Sequence, residues 1–277
     1  MKGELSNEYI VYDKYENAKA LLSSTNELFA RLGLEVLKPK ESLLDCGGYF
    51  ARFTQKDILV RNVAYNLALA NSLNATLVFA EEDAYANALY AKTLIESDVE
   101  LMRDIETNFL HQFKLLYDSK VQMSYLPDLL NTLEFDNLIQ KRFSPFSSII
   151  VRGAYQGHLP KSTNHRIYEK IDLKMLENPL ALQYYTHLLE VNPQSALYNG
   201  AKLFFDLADL GVDFILSYSL GQFDLLDSKR TELCKAYNRD NIALPIVFLP
   251  QILLLAFGES DHKKLGFNHH QQKVEMF

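Results

Sequence analysis

The sequence predicts an α/β fold of two pseudo-repeated lobes, each a parallel sheet flanked by helices. Three observations carry that expectation. Apolar runs of strand length alternate with helical periodicities along all 277 residues. Residues 211–230, GVDFILSYSLGQFDLLDSKR, read as a buried strand, a polar turn and a helix, and residues 73–91, LNATLVFAEEDAYANALYA, repeat that order upstream. The longer succession of strand, glycine turn, helix, strand, turn and helix also recurs in both halves. The polar stretch 137–146 is the natural junction, giving lobes 1–140 and 141–277. Each lobe is then Rossmann-like, and such lobes place ligands where a strand's C-terminal end meets the next helix.

The elements follow in order. Residues 9–12 form a short β-prone run, 17–32 carry Ala20, Leu21, Leu28 and Leu32 at helical spacing before Gly33, and 34–37 give a second strand. Residues 43–53 (LLDCGGYFARF) read as a glycine turn between apolar flanks. A helix over 57–73 and a strand over 76–80 precede helices over 84–95, 98–117, 125–133 and 135–139. In the second half, 145–154 is a strand leading into 155–161, and 179–189 is a helix. Residues 195–202 read as another glycine turn, 201–210 as a helix ending at Gly211, and 212–217 as a strand. Helices over 223–237 and 250–257 complete the set, the last stopped by Gly258.

Composition narrows the function classes. A net charge of −7 without basic clustering argues against a nucleic-acid surface or polybasic membrane attachment. The first residues, MKGELSNEYIVYDKY, show no apolar core of a secretory signal. The longest apolar run, 243–257, holds two prolines and a glutamine and falls short of the ~20 residues of a spanning helix. The expectation is a cytoplasmic protein without a transmembrane segment. With only Cys46 and Cys234, there is neither a disulfide framework nor a cluster of thiolate ligands from this chain.

Individual motifs stay weak. Asp45-Cys46-Gly47-Gly48 is a reactive-thiol turn or, in the favoured reading, a structural turn with an incidental cysteine, since no Lys, Arg or His adjoins it. Glu81-Glu82-Asp83 would hold a divalent cation or, in the favoured reading, supply the acidic first turn of a helix. His262, His269 and His270, with His158 and His165 earlier, fit no zinc spacing and read as solvated. No phosphate-binding glycine loop and no nucleophile–base motif is present.

The segment order nevertheless resembles the CCG-domain subunit of heterodisulfide reductase and its cysteine-rich relatives, including the CCG subunits of methylmenaquinol-type fumarate and succinate reductases. The match runs nearly end to end. Asp45-Cys46-Gly47 lies where the first Cys-Cys-Gly belongs, and Tyr85 and Asn87 where the family often has Cys-Tyr-Asn. Residues 148–162 resemble the stretch around Tyr-Gly-Cys-His-Leu, keeping Tyr155, His158 and Leu159. Tyr198-Asn199-Gly200-Ala201 lies where the second Cys-Cys-Gly-Ala belongs. Residues 211–230 resemble the Gly-Ala-Asp, strand, Cys-Pro-x-Cys and Asn-Leu-Asp sequence, and 245–258 and 265–269 resemble the C-terminal helix and tail.

In that family, two sets of cysteines bind unusual iron–sulfur clusters. Here the first set of positions reads Tyr15, Asp45, Cys46, Glu81 and Ala84, and the second Gly157, Tyr198, Asn199, Ser219 and Gln222. The stretch between Gly200 and Ser219 is also shorter than the family's. Glu, Ala, Gly and Gln do not assemble such a cluster. The resemblance therefore implies a vestigial cleft lined by Tyr15, Cys46, Gly47, Glu81, Tyr155, His158, Tyr198, Asn199, Ser219 and Gln222, with no cofactor, no metal and no catalytic residue. It implies a non-catalytic interaction or assembly component whose partner is a protein of a redox or respiratory complex. Two alternatives stay open: a small-ligand protein or enzyme reusing the cleft, with His158 or Glu81 as base, and an oxidoreductase subunit whose partner carries the redox centre.

Overall fold

A computed structural model describes residues 8–160 and 165–275. Residues 161 and 162 of the matched stretch, and the first seven residues read for a secretory signal, lie outside the described ones.

Strands that are apolar on both faces can only be satisfied between two helical layers, which is the setting of a parallel sheet. Thr76–Phe79 (TLVF) and Phe214–Ser217 (FILS) are buried at every position. They are β3 and β7, the second-from-edge strands of two four-stranded parallel sheets. The first sheet runs β2-β1-β3-β4, with β1 at Glu8–Val11, β2 at Glu35–Val36 and β4 at Met123–Tyr125. The second runs β6-β5-β7-β8, with β5 at Ser147–Val151, β6 at Lys174–Leu176 and β8 at Ile246–Phe248. The two orders are identical. In each, the first strand pairs with the third, Ile10 opposite Leu77 and Ile149 opposite Ile215. The strand order therefore reverses beside β1/β3 and β5/β7, which is where open α/β sheets open a crevice.

The helices follow from their caps and buried faces. Lys56–Ser72 buries Leu59, Val60, Val63, Ala64 and Leu67 against the first sheet's core and stops before Asn74, whose φ is 51°. Pro193–Ala208 starts where Asn192 accepts from the Ser195 amide at 3.1 Å and Pro193 needs no amide partner. That Asn-Pro start carries the helix straight through 195–202, so the expected glycine turn there does not exist and Tyr198 and Asn199 stand on a helix. Gly200 lies on the packed face: a Cβ there would come within 2.9 Å of Leu225.

Other expectations are corrected in length. The 98–117 helix ends at Asn108, followed by a 3-10 turn closed by Lys114 in the left-handed region. The 125–133 segment is the end of β4 followed by the short helix Leu126–Leu130. The 179–189 segment is a 3-10 turn at Pro179–Leu182 and a separate turn of helix at Leu188–Val191. The 223–237 helix is three pieces, Leu220–Phe223, a π turn at Asp224–Ser228 and Arg230–Tyr237. The π turn brings the buried Asp227 carboxylate onto the Gln271 and Gln272 amides, at 2.7 and 3.4 Å.

Contacts divide the chain into one unit of Met1–Glu16 and Phe29–Leu129 and another of Asn17–Leu28 and Leu130–Phe277. This differs from the expected 1–140 and 141–277 in giving the second unit most of the helix Lys19–Arg31. The reason lies at Gly266, whose φ is +71° and whose absent Cβ would lie 2.5 Å from the Ala20 carbonyl oxygen. Lys264 adds an ion pair to Glu27 at 3.1 Å. Within this unit Arg230 is buried, stacked 3.8 Å over the Phe204 ring and bonded to the carbonyls of Leu226 and Leu244 at 2.7 and 3.0 Å. Among the described residues no helix is long and apolar enough to cross a membrane.

Gly266→Ala combines a left-handed φ with a backbone clash and is expected to cost about 2–4 kcal/mol. Urea denaturation followed by near-ultraviolet dichroism checks this. Gly33→Ala, with a similar φ but open space around it, should cost only about 1 kcal/mol.

Candidate functional site

The C-terminal ends of β1 and β3 carry the first group of matched residues. Tyr12 follows β1 and Glu81 stands two residues after β3. Glu81 is the N-cap of the helix Glu82–Ser97, its Oε2 accepting from the Ala84 amide at 2.6 Å. Glu82 and Asp83 fill the first turn, where acids favour the positive end of the helix dipole. The DCGG turn packs beneath them. Tyr12 Oη accepts from the Cys46 amide at 2.7 Å and donates toward Asp45 at 3.4 Å. Asn66 brackets the Leu44 backbone, its Oδ1 accepting from the amide at 2.7 Å and its Nδ2 donating to the carbonyl at 2.8 Å. Asn62 donates to the Asp45 carbonyl at 2.7 Å. Asn87 Nδ2 lies 3.1–3.2 Å from the carbonyls of Cys46, Gly47 and Gly48, and its Oδ1 accepts from Arg52. Gly47 is required, because at φ +68° a Cβ would lie 2.4 Å from Ala51 Cβ.

The thiol at the centre is therefore enclosed. Cys46 has no exposed surface, and its Sγ meets Asn66 Nδ2 at 3.5 Å. Burial pushes the thiol up to about 12, against the weaker opposing effect of the Tyr12 and Asn66 hydrogen bonds. The Tyr15 ring stands edge-on to Tyr12 at 4.7 Å, and burial, then the Glu81 charge, then Cys46, hold its phenol well above the ordinary value. Tyr15, Cys46, Gly47, Glu81 and the buried Ala84 thus lie at one crest.

The second unit repeats the scaffold with different chemistry. Ser219 stands two residues after β7, as Glu81 does after β3, and is likewise an N-cap, its Oγ 3.4 Å from the Gln222 amide. Ser217 Oγ donates to the Ser219 carbonyl at 2.6 Å. Gln222 is fully buried, and its Nε2 donates to the Gln183 carbonyl at 2.7 Å and the Arg152 carbonyl at 3.3 Å. The 183–187 segment closes over Gly221, where a Cβ would lie 2.7 Å from Tyr184 Oη and 2.9 Å from Thr186 Cγ2. Beside it, Tyr168 and Tyr218 share a short hydroxyl–hydroxyl hydrogen bond, and the Arg152 guanidinium lies 5.6 Å over the Tyr218 ring.

The remaining sequence candidates are scattered. Tyr155 is buried with its ring edge-on to His158 at 6.0 Å, while Gly157 and His158 face solvent. Tyr198 is half exposed against Tyr237, and the Asn199 side chain folds back onto the Ser195 carbonyl of its own helix at 2.8 Å. His270, expected as a solvated tail histidine, is instead packed edge-on against Phe223 at 5.0 Å with its Nε2 2.8 Å from Gln251 Nε2. A cleft of about 750 Å³ opens between Arg230, Cys234, Lys235, Arg239 and Asn241, and no sequence candidate lines it. Sequence reasoning missed Tyr12, Asn62 and Asn66 as the residues that hold the first turn. Only Asn66 carried a signal: an asparagine buried in a helix face is a poor helix former and reports a side-chain bond to backbone.

Neither crest fits an iron–sulfur cluster. The first offers one protonated thiol, one carboxylate already spent on a cap, and a methyl group. The second offers hydroxyls and an amide bonded to the chain itself. Thiolates are the ligands such clusters need. Among the described residues no three His, Cys, Asp or Glu side chains gather closely enough to hold a metal ion.

Native-state alkylation by iodoacetamide at pH 8 should label the part-exposed Cys234 and leave Cys46 unmodified until the protein unfolds, as read by mass spectrometry. Replacing the caps by Glu81→Ala or Ser219→Ala is expected to cost about 1 kcal/mol each, measured by thermal unfolding.

Comparison with known proteins meets the same sheets. A solved structure of a hypothetical protein from Helicobacter pylori superposes with a TM-score of 0.87 at 29% sequence identity, over 98% of this chain and 53% of that one. The chain thus spans about half the length of that protein. None of the curated proteins matches the sequence. Residues 185–271, from within the closing segment of the second crest to just past His270, match the family described as the HdrB-like C-terminal domain, so that region of the second unit is similar to it.

Proposed function

We propose that the chain is a degenerate, cluster-free relative of the CCG-domain subunit of heterodisulfide reductase that works as a non-catalytic interaction or assembly component of a cytoplasmic redox complex. The single observation that carries the reading is the inward turn of the matched ligand positions. Glu81 and Ser219 cap the helices that follow them, Gln222 ties two loops together, and Cys46 is a buried thiol. A side chain committed to a buried backbone group loses that hydrogen bond if it turns outward to ligate. The HdrB-like domain supplies the link to redox assemblies, and its retained sheet order supplies a folded surface for a protein partner.

Iron and acid-labile sulfide analysis of protein reconstituted without oxygen tests this. The expected result is less than one iron per chain and no visible charge-transfer band, while stoichiometric iron would sink the proposal. A redox partner that carries the cofactor should co-purify as a coloured complex whose integrity depends on this chain.

A second reading, in which the emptied second crest holds a small polar ligand, draws on one observation. Gln222 Oε1 and Thr186 Oγ1 are both buried without a hydrogen-bond partner, at a typical cost of about 1–3 kcal/mol each. A thermal shift with a library of small amides and hydroxy acids, lost in Gln222→Leu, would favour it. No shift with any of them would leave the two atoms as a purely structural cost.

A further inference from the structure

None of the residues at the second crest lines the cleft beside Arg230, and the walls of that cleft carry an unbalanced charge. Arg230, Lys235 and Arg239 line it against a single acid, Asp240. Among the described residues none of these three cations is ion-paired with a carboxylate, although the neighbouring Lys229 is held by Asp224 at 3.9 Å. Arg230 is 2% exposed and bonds only to uncharged oxygens, the carbonyls of Leu226, Ile242 and Leu244 and the Asn241 amide. Asp227 acts on it only through space, and its own oxygens accept from the Gln271 and Gln272 amides. A buried cation without a contacting anion is poorly screened and attracts one to the adjoining space.

Two of the cations are also held in place. Phe204 and Phe205 are neighbours on the helix Pro193–Ala208, both buried, with their rings edge-on at 5.2 Å. Arg230 stacks over the first ring at 3.8 Å and Arg239 over the second at 4.1 Å. Stacking fixes the guanidinium plane and leaves its N–H edge to meet an anion, so less freedom is lost on binding. The whole fork of Arg239 is available, since among the described residues its guanidinium meets no hydrogen-bond acceptor. The cleft adjoins the C-terminal end of the helix Arg230–Tyr237, whose free carbonyls would repel an anion. Those of Cys234 and Lys235 are already taken, by the Arg239 and Asn238 amides at 3.1 and 3.3 Å.

We propose that this cleft binds a small organic phosphate, its phosphoryl group held by Arg239 and Lys235 in the field of the buried Arg230. Three cations less one carboxylate leave two positive charges on the walls, which a phosphate dianion balances. Its several oxygens suit the planar fork of an arginine, which grips two of them at once. At about 750 Å³ the cleft has the size of a small-molecule site, and Thr231, Asn238 and Ile242 line the space left for the organic part.

Titration of the isotope-labelled full chain with glycerol 3-phosphate, at fixed ionic strength and followed by amide chemical shifts, tests the proposal. Saturable shifts concentrated in residues 230–242 are expected. Arg239→Ala should weaken binding by about tenfold or more, and Arg239→Lys, which keeps the charge but not the fork, should restore only part of it. Succinate, a dianion without a phosphoryl group, should bind about tenfold more weakly than glycerol 3-phosphate. If Arg239→Ala does not fold, Lys235→Gln at an exposed side chain decides in its place, with an expected loss of about fivefold. No saturable shift, shifts centred elsewhere, an unchanged affinity in the variant, or equal binding of succinate would each overturn the proposal.

Discussion

Hydrogen-bond satisfaction at the C-terminal ends of β3 and β7 governs what both units can do. Each strand is buried on both faces and runs straight into the first turn of a helix, whose amide groups have no partner within the helix. Water is excluded, so a side chain must serve. Glu81 and Ser219 stand at matching places and accept that role, from the Ala84 and Gln222 amides. A side chain turned inward to cap the helix offers less of itself to a ligand. Once Glu81 or Ser219 occupies the position, the helix start is stabilised and no thiolate stands there.

The two crests settle that constraint differently. In the first, four side chains from two helices and a strand end bind the DCGG turn, and the bulky Tyr12 and Tyr15 rings fill what remains. Cys46 then sits in a fully enclosed setting, and that burial, against its hydrogen bonds to Tyr12 and Asn66, holds the thiol protonated. In the second, the chain closes over Gly221 with the 183–187 segment, and the bonds that fasten it come largely from one residue, Gln222. The first crest is an interior; the second is a lid held by a side-chain amide.

Much of this was legible in the sequence. The apolar strands TLVF and FILS, their following turns and the repeat of the order gave the two sheets, because burial on both faces leaves a continuous apolar run. The three-residue strands β4, β6 and β8 were illegible for the opposite reason. MSY, KML and IVF are too short to show a period, and IVF is submerged in the run 243–257. At 195–202 a glycine misled, since Gly200 serves close packing on Leu225 and the real signal was the Asn192-Pro193 start. Glu81 and Ser219 stand two residues after a strand, and Gln222 in the short helix that follows, because the apolar runs before them fix where each strand ends. Tyr198 and Asn199 had no such guide, because their place rested on a turn that is a helix. The asparagines and Tyr12 that organise the first crest escaped because their role is set by partners far away in sequence.

The contact of Gly266 with Ala20 ties together two stretches separated by nearly the whole chain. During synthesis the helix containing Ala20 is made long before the groups that complete its packing, Gly266 and Lys264, the latter 237 residues beyond its partner Glu27. The first sheet can assemble from residues already made, whereas this part of the second unit stays unfinished until translation has passed Gly266. Non-local closure of this kind is slow and leaves apolar surface uncovered in the interval. The vulnerable moment in this protein's life is thus the wait of one N-terminal helix face for a distant glycine.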